Sequence, residues 1–512
     1  MADTSAPRCL VTSTSVWHGQ LDETNPLISV MHFIQLSIFG HLAYLASTAI
    51  SSPAPQFPEL GAFNPEDIIR RDVAVVGGGS SGTYSAMSLI DKGRSVIVIE
   101  KQGRLGGHTA TYADPATGTT TEIGVQIYHN HTIVKDYFAR FDLPLMDSPG
   151  FFQSLDNFDY RTGQRVTLST PSQEEVSAAF AAYAEQLAKY PGLNDGIYLP
   201  DPIPEDLYLP FGDFVDKYGL QAAVPTMHYY NPGVGNILDN PTLEQFRYWS
   251  LIGMVHSISA GFLTSAHHNS GELYHRAEAE LSQTGSLLLN STVARAFRHE
   301  GEAGVALLVD TPTGRKIILA RKLLIAIPPK LDLVKPFDLS KTESTLFSKF
   351  INAGYYAGIL SNTSFSEETS TSNAVQDAPY NLPVLPGAYN FSPTRIRGLQ
   401  IFHYGTPQSK ETFPLTDEEI QSHVIDTIRR IQEQNPDMYD RTEPEWVGFW
   451  SHAPYTLQVS AEDIRDGFYE QLYALQGQRN TYWTGAAWRA EDSSLLWRFS
   501  EEVVLPALIE GL

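Results

Sequence analysis

Three glycines and one acid carry the clearest chemical signal in this 512-residue chain. Gly77, Gly79 and Gly82 stand at G-x-G-x-x-G spacing directly after the apolar run Val73 to Val76, and Glu100 closes a second β-branched run that starts at Ser95. Gly77 permits a tight turn off a strand. Gly79 has no Cβ, so backbone can approach a pyrophosphate, and Gly82 lets a helix pack close to the strand. The free N–H groups at the start of that helix, around Ser81, suit an anion. Glu100 can accept two hydrogen bonds from a ribose diol. The elements that must hold these residues are a strand, a helix over Thr83 to Lys92 stopped at Gly93, and a second strand. An acid about 20 positions beyond the glycines completes the dinucleotide-binding βαβ pattern.

The rest of the chain supplies further elements in order. Ser172 to Tyr190 reads as an amphipathic helix opened by a Ser172–Glu175 capping box. Phe211 to Tyr218, Thr242 to Met254 and Gly271 to Leu281 read as helices. Leu287 to Leu289, Val293 to Phe297, Val305 to Asp310 and Lys316 to Leu319 read as strands, followed by the apolar run that ends Ala326-Ile327-Pro328-Pro329. A second sheet is expected from Phe350 to Leu360, Val384 to Phe391, Leu399 to Tyr404 and Trp446 to Trp450. Thr416 to Gln434 is a helix with its own capping box, Thr416–Glu419. Tyr482 to Ala486 is a last strand and turn, and Asp492 and Ser493 cap a final helix, Ser494 to Ile509, which Pro506 is expected to kink or end.

Several segments resemble flavoenzymes of the amine oxidase type. Arg104-Leu105-Gly106-Gly107 is similar to the R-x-G-G element that follows the second strand there, with His108 where a second Arg is usual. Glu122-Ile123-Gly124-Val125-Gln126 resembles the acid-x-Gly-Gly segment beside the flavin ring, with Val125 replacing one glycine. Val293 and Ala326 to Pro329 match the adenine-side strand and the A-x-P-P strand end. The closest resemblance is to the beta-cyclopiazonate dehydrogenase family within the flavin-dependent amine oxidoreductases. Gly77 to Gly82, Glu100-Lys101-Gln102, Leu105 to His108, Gly124 to Gln126, Trp483-Thr484-Gly485-Ala486 and Glu491 to Trp497 carry it.

The resemblance implies FAD, held by these segments. It also implies a final helix whose N-terminus, at Ser493, Ser494 and Leu495, faces the pyrimidine edge of the flavin. There it would stabilise the charge of the reduced ring. The fold it implies is α/β: a Rossmann-like FAD-binding domain of the glutathione-reductase type with a mixed-sheet plus helical substrate domain. The FAD-binding domain is expected from 68–145, 271–335 and 476–512, and the substrate domain from 146–270 and 336–475. An NAD domain with an ordinary third strand is the competing reading of the same glycines.

Composition narrows the class. A formal charge of −23 and a pI near 5.0 argue against nucleic acid and anionic membrane surfaces as partners. The single cysteine, Cys9, excludes a disulfide framework, a Cys-based metal site and a redox dithiol. No His/carboxylate cluster has metal-ligand spacing. Residues 1–50 read as an upstream extension followed by a secretory signal from Met31, and 51–67 as a Pro-rich linker. A retained membrane anchor over Leu27 to Ile50 is the alternative. Sequons at Asn130, Asn290, Asn362 and Asn390 suit a secretory route.

Many amine oxidases place a Lys near the flavin. From Ile351 to Gln400 this chain has none, and Tyr355 or Tyr356 stands there instead. Gln126, Tyr356, His403, Tyr404, Trp450, His452 and Tyr455 are the candidate pocket residues. Tyr356, His403 and His452 are the candidates for catalysis. The expected activity is hydride removal by FAD from an amine or C–H centre of a small secondary-metabolite substrate. Oxidative cyclisation can follow, with the flavin reoxidised by O2 or another acceptor. A nicotinamide-coupled FAD monooxygenase or epoxidase and a non-catalytic flavin-fold protein are the alternatives.

Overall fold

A seven-stranded mixed sheet carries the glycine motif. Ile68–Val76 lies at its centre, parallel to Val96–Ile99 on one side and to Gly314–Ile325 on the other. Leu287–Leu288 extends it beyond Val96–Ile99, Thr481–Trp483 adds in parallel to Gly314–Ile325, and Val305–Thr311 and Thr292–Arg298 continue it antiparallel. Val73, Ala74, Val75, Val96, Ile97 and Val98 are fully buried, as a strand covered on both faces requires. Helix Ser80–Asp91 follows the glycines and packs back on this sheet, and Gly93 ends it with a left-handed φ of 74°. This is a computed structural model in which residues 60–148, 154–301 and 304–512 are described. The signal or anchor expected before residue 51, and the linker up to residue 59, lie outside them. Among the described residues no helix is long and apolar enough to cross a membrane.

The second sheet also has seven strands, in the order Glu445–Ser451, Tyr355–Ser361, Leu399–Gly405, Gly387–Pro393, Thr369–Asn373, Ser154–Asp159 and Gln164–Arg165. All neighbours are antiparallel except Thr369–Asn373 and Ser154–Asp159. Helix Asp417–Gln434, opened by the Thr416–Glu419 capping box, covers one face. Its buried stripe, Ile420, Val424, Ile428 and Ile431, joins a core with Phe158, Tyr356, Leu360, Phe402 and Tyr404. Strand alternation then turns Tyr355, Ile401 and His403 to the opposite face.

Two expected helices differ in form. Thr242 to Met254 is broken: Thr242–Tyr248 stops at Trp249, and after Gly253, whose φ/ψ of −94°/−117° is not helical, the chain resumes as His256–Ala260. The final helix runs Ser493–Phe499, widens into a π-turn over Ser500–Val504 and continues as Leu505–Glu510. Pro506 sits in the first turn of that last piece, where its missing N–H costs little, so it does not end the helix.

Candidate functional site

The first sheet, the last helix and the outward face of the second sheet enclose one channel of about 1830 Å³. Its lining includes a glycine end of Gly77, Gly79, Ser81, Glu100, Lys101, Arg104, Gly106, Gly107 and Val293, the segments Gly124 to Gln126, Gly485 and Glu491 to Ser493, and an aromatic cluster of Tyr355, His403, Trp450, His452 and Tyr455 that His108 joins to the second glycine turn.

The glycine end is a cradle for a pyrophosphate. A Cβ on Gly79 would find only Gly107 Cα, at 3.9 Å, so this backbone faces open channel. Gly82 is a packing position: its Cβ would lie 1.9 Å from the Gly77 carbonyl oxygen. Gly77 has φ of 99°, reserved in practice for glycine. Glu100 is buried, and its two oxygens accept the N–H groups of Gly78 and Gln102, each at 2.7 Å. Each oxygen keeps a lone pair for a ribose hydroxyl.

Arg104 spends three donors on the carbonyls of Leu105, Gly107 and Thr109. Its guanidinium therefore shapes the second glycine turn, in which Gly107 comes against Gly79. His108 belongs elsewhere than its place in the motif implies. Its ring packs edge-on against His452, with centroids 5.2 Å apart, and against Tyr455 at 5.7 Å. Burial lowers its pKa to about 4, so it is a neutral imidazole rather than a phosphate-binding cation.

The last helix meets the first near its start. Ser80 Oγ donates to Ser493 Oγ at 2.9 Å and accepts from Trp497 Nε1 at 2.9 Å. Asp492 caps the helix through the Leu495 N–H, and its other oxygen lies 3.0 Å from His129 Nε2. His129 Nδ1 meets Ser257 Oγ at 2.6 Å, and both residues are buried. Ser494 and Leu495 are off the channel wall. Ser494 Oγ accepts the His129 N–H, and the Leu495 N–H is the capped one. Of the three residues expected to face the flavin, Ser493 is the one on the wall.

Behind this loop Arg247 donates to the carbonyls of Ala486 and Arg489, and is itself fixed by Glu244 at 2.6 Å and by the hydroxyl of Tyr469. A buried ion pair with every partner satisfied pins the Gly485–Arg489 turn.

Tyr355 lies flat over His403, with centroids 6.0 Å apart and planes at 6°, and contacts His452 and Tyr455. The His403 Nδ1 faces Asn390 Oδ1 at 2.9 Å, which assigns the proton to Nδ1 and leaves Nε2 as an acceptor. Burial lowers His403 to about 4 and His452 well below its ordinary value, and His452 Nε2 has no hydrogen-bond partner among the described residues. Burial raises the Tyr355 and Tyr455 hydroxyls. Tyr356 does not reach this group. Its ring packs against Tyr404 and Phe449 under the Asp417–Gln434 helix, so the tyrosine on the wall is Tyr355. Tyr404 is likewise turned away and bonded to His423.

Sequence reasoning passed over Tyr355 in favour of its neighbour, because the strand's phase could not be read. It named Glu491 only within the C-terminal motif that carries the resemblance and gave it no role. The dinucleotide cradle, the open channel beyond it and the paired helix starts fit FAD end to end. Gly79, Glu100 and Gly107 would hold the adenosine diphosphate half, and Gly124 to Gln126 with Ser493 the ring.

The family model for flavin containing amine oxidoreductase matches residues 81–493. The FAD-dependent oxidoreductase oblC of Cochliobolus heterostrophus is 50% identical over 471 residues, 91% of this chain and 97% of that protein. The beta-cyclopiazonate dehydrogenase of Aspergillus oryzae is 34% identical, over 86% of this chain and 93% of its own. Among solved structures, a fatty acid isomerase from P. acnes that produces CLA superposes with a TM-score of 0.66 at 19% identity, covering 85% of this chain and 98% of that one. Putrescine oxidase superposes at 0.59 and 16%, over 86% of this chain and all of that one. These two show the shared fold.

Proposed function

This chain belongs to the flavin containing amine oxidoreductase family and is an FAD-dependent oxidoreductase, and we propose that it dehydrogenates a C–H centre of an uncharged secondary metabolite. FAD, when bound, supplies the hydride acceptor. The residues of the chain bind and orient the substrate and keep water out. The observation that carries this reading is the neutrality of the substrate end. Tyr355 and Tyr455 are held protonated, His108 and His403 are neutral imidazoles, and His452 is held uncharged by the same burial. A protonated amine entering this end would lose its hydration without gaining a counter-charge from that cluster. A flat, uncharged ring system instead meets aromatic faces and the acceptors His403 Nε2 and His452. The oxidised carbon can be trapped by a nucleophile of the same molecule, closing a ring, and the electrons pass on to O2 or another acceptor.

Anaerobic bleaching of the FAD-loaded enzyme tests this. Culture-extract fractions that pass a cation exchanger at neutral pH should reduce the flavin, whereas putrescine and cyclohexylamine should not. Bleaching confined to the retained, cationic fractions would sink the reading. Because burial keeps His108 and His403 neutral above about 4, this cluster should add no pH dependence to the binding of a neutral ligand between about pH 5.5 and 6.5, where an ordinary His would change charge, and any slope there should vanish in Glu491→Gln.

A secretory route is proposed on the sequons and the uncharged N-terminal stretch. Asn290 and Asn362 are exposed, while Asn390 lines the channel and is bonded to His403. Edman sequencing of secreted protein should start between Ala49 and Pro58, and peptide mapping should find glycan at Asn290 or Asn362 and none at Asn390. Recovery of the intact N-terminus in membranes would favour the anchor.

A further inference from the structure

We propose that Glu491 receives the proton the substrate sheds as its hydride leaves. This rests on the dehydrogenation just proposed. Removing H₂ from a neutral molecule breaks two bonds. The C–H bond gives up hydrogen with its electron pair. The neighbouring X–H bond gives up a proton, and its electron pair becomes the new C=X π bond. A group on the wall can take that proton.

The wall offers five carboxylates: three have both oxygens engaged, Asp332 has one engaged and is exposed to solvent, and Glu491 is left. Glu100 holds two backbone N–H groups; Glu122 holds Thr111 and Ser270; Asp332 holds Thr412; Asp492 holds the Leu495 N–H and His129. Glu491 stands between the Gly485 turn and the last helix. Its Oε1 accepts the Thr456 N–H at 3.0 Å, and its Oε2 has no hydrogen-bond partner among the described residues. The loop behind it is pinned by Arg247, so the carboxyl is presented by a rigid element. Of the imidazoles on the wall, burial makes His108, His228 and His403 weak bases near 4 and lowers His452 well below its ordinary value, while both nitrogens of His129 are taken up by Ser257 and Asp492.

Burial pushes Glu491 up to about 7, opposed by the Thr456 N–H and by Arg247. The other groups that face it are the hydroxyls of Tyr248 and Tyr455, whose own ionisation its charge discourages, and the neighbouring Asp492 carboxylate. A carboxyl balanced near neutrality is free to accept a proton before turnover and to release it afterwards. Loss of the basic form as pH falls through about 7 should then lower kcat/KM, because protonated Glu491 cannot accept.

The coupling can be read without the substrate. If hydride arrival and protonation of Glu491 favour one another, putting electrons on the cofactor must raise the proton affinity of Glu491. The FAD-loaded protein is reduced photochemically and its proton uptake is measured with an indicator dye. Wild type should take up more protons per flavin than Glu491→Gln, about half a proton just above pH 7 and approaching one near pH 8, because the carboxyl is progressively ionised there before reduction. Gln keeps the acceptor for Thr456, so folding and flavin content should persist, and Glu491→Asp should restore the uptake.

Infrared difference spectra of wild type alone give a second reading. A carboxylic C=O band should appear on reduction and shift when glutamate is ¹³C-labelled. Equal uptake in wild type and Glu491→Gln, or a wild-type spectrum lacking that band, overturns the assignment. Neither result depends on which extract fraction bleaches the flavin, so failure of the substrate reading and failure of the proton assignment are told apart.

Discussion

Glu100→Ala should weaken FAD binding about 100-fold, the upper end of what one charge-assisted acceptor contributes. The large value follows from what the carboxylate already does. It accepts the N–H of Gly78, inside the first glycine turn, and that of Gln102, at the start of the second. Removing it takes an acceptor from the ribose and leaves the Gly78 amide unpaired in a buried turn. Glu100→Gln keeps an acceptor for one of the amides but must turn an NH₂ toward the other, so it should fall between wild type and Ala. Equilibrium dialysis of the apoprotein against FAD measures this. Wild-type occupancy in Glu100→Ala at limiting FAD would show that the ribose is held elsewhere.

Gly124→Ala should be worse, producing a protein that purifies colourless with a Tm lower by about 1–3 °C. A Cβ here would stand 1.8 Å from the His108 carbonyl oxygen and 3.2 Å from the Ala110 N, both backbone. Side chains can swing aside, but the segment after the Thr120–Glu122 strand and the His108 loop would have to part. His108 would then lose its packing on His452 and Tyr455, and the ring-binding segment would move with it. Differential scanning calorimetry and the visible spectrum give both numbers. A yellow Gly124→Ala protein with unchanged Tm would mean that the two segments separate without cost.

The contrast between Gly124 and its neighbours shows what was legible. The cradle could be read because its parts are local: strand, three glycines, helix and acid fall within about thirty residues, and each type has one physical use. The capping boxes at Ser172 and Thr416 were legible for the same reason, and both form. Ser154–Asp159 and Thr369–Asn373 were not: their sequences, SLDNFD and TSTSN, are polar because one face lines the channel. Tyr355 and Tyr356 differ by one step along a strand, and a strand's phase is fixed only by what packs on it, here the Asp417–Gln434 helix. Glu491 stands in a motif that carries the family resemblance, but the motif assigns it no role. Its chemistry comes from burial among residues far apart in the chain, which only the folded form brings together.

The link between Ser80 and Ser493 has a consequence for biogenesis. The two serines are 413 residues apart, and the strand Thr481–Trp483 that completes the nucleotide-binding sheet is nearly as late. At ribosomal speeds the early glycine turn waits on the order of 20–80 s for the partners that finish the binding site. For the first part of that interval the apolar strand Val73–Val76 lacks its Gly314–Ile325 neighbour, and until its end the Ser80–Asp91 helix lacks the last helix against it. The nascent chain must therefore be shielded, by a chaperone or by early collapse, and flavin is captured as one of the last events in its maturation. Any stop codon before residue 480 should yield a product that never acquires colour.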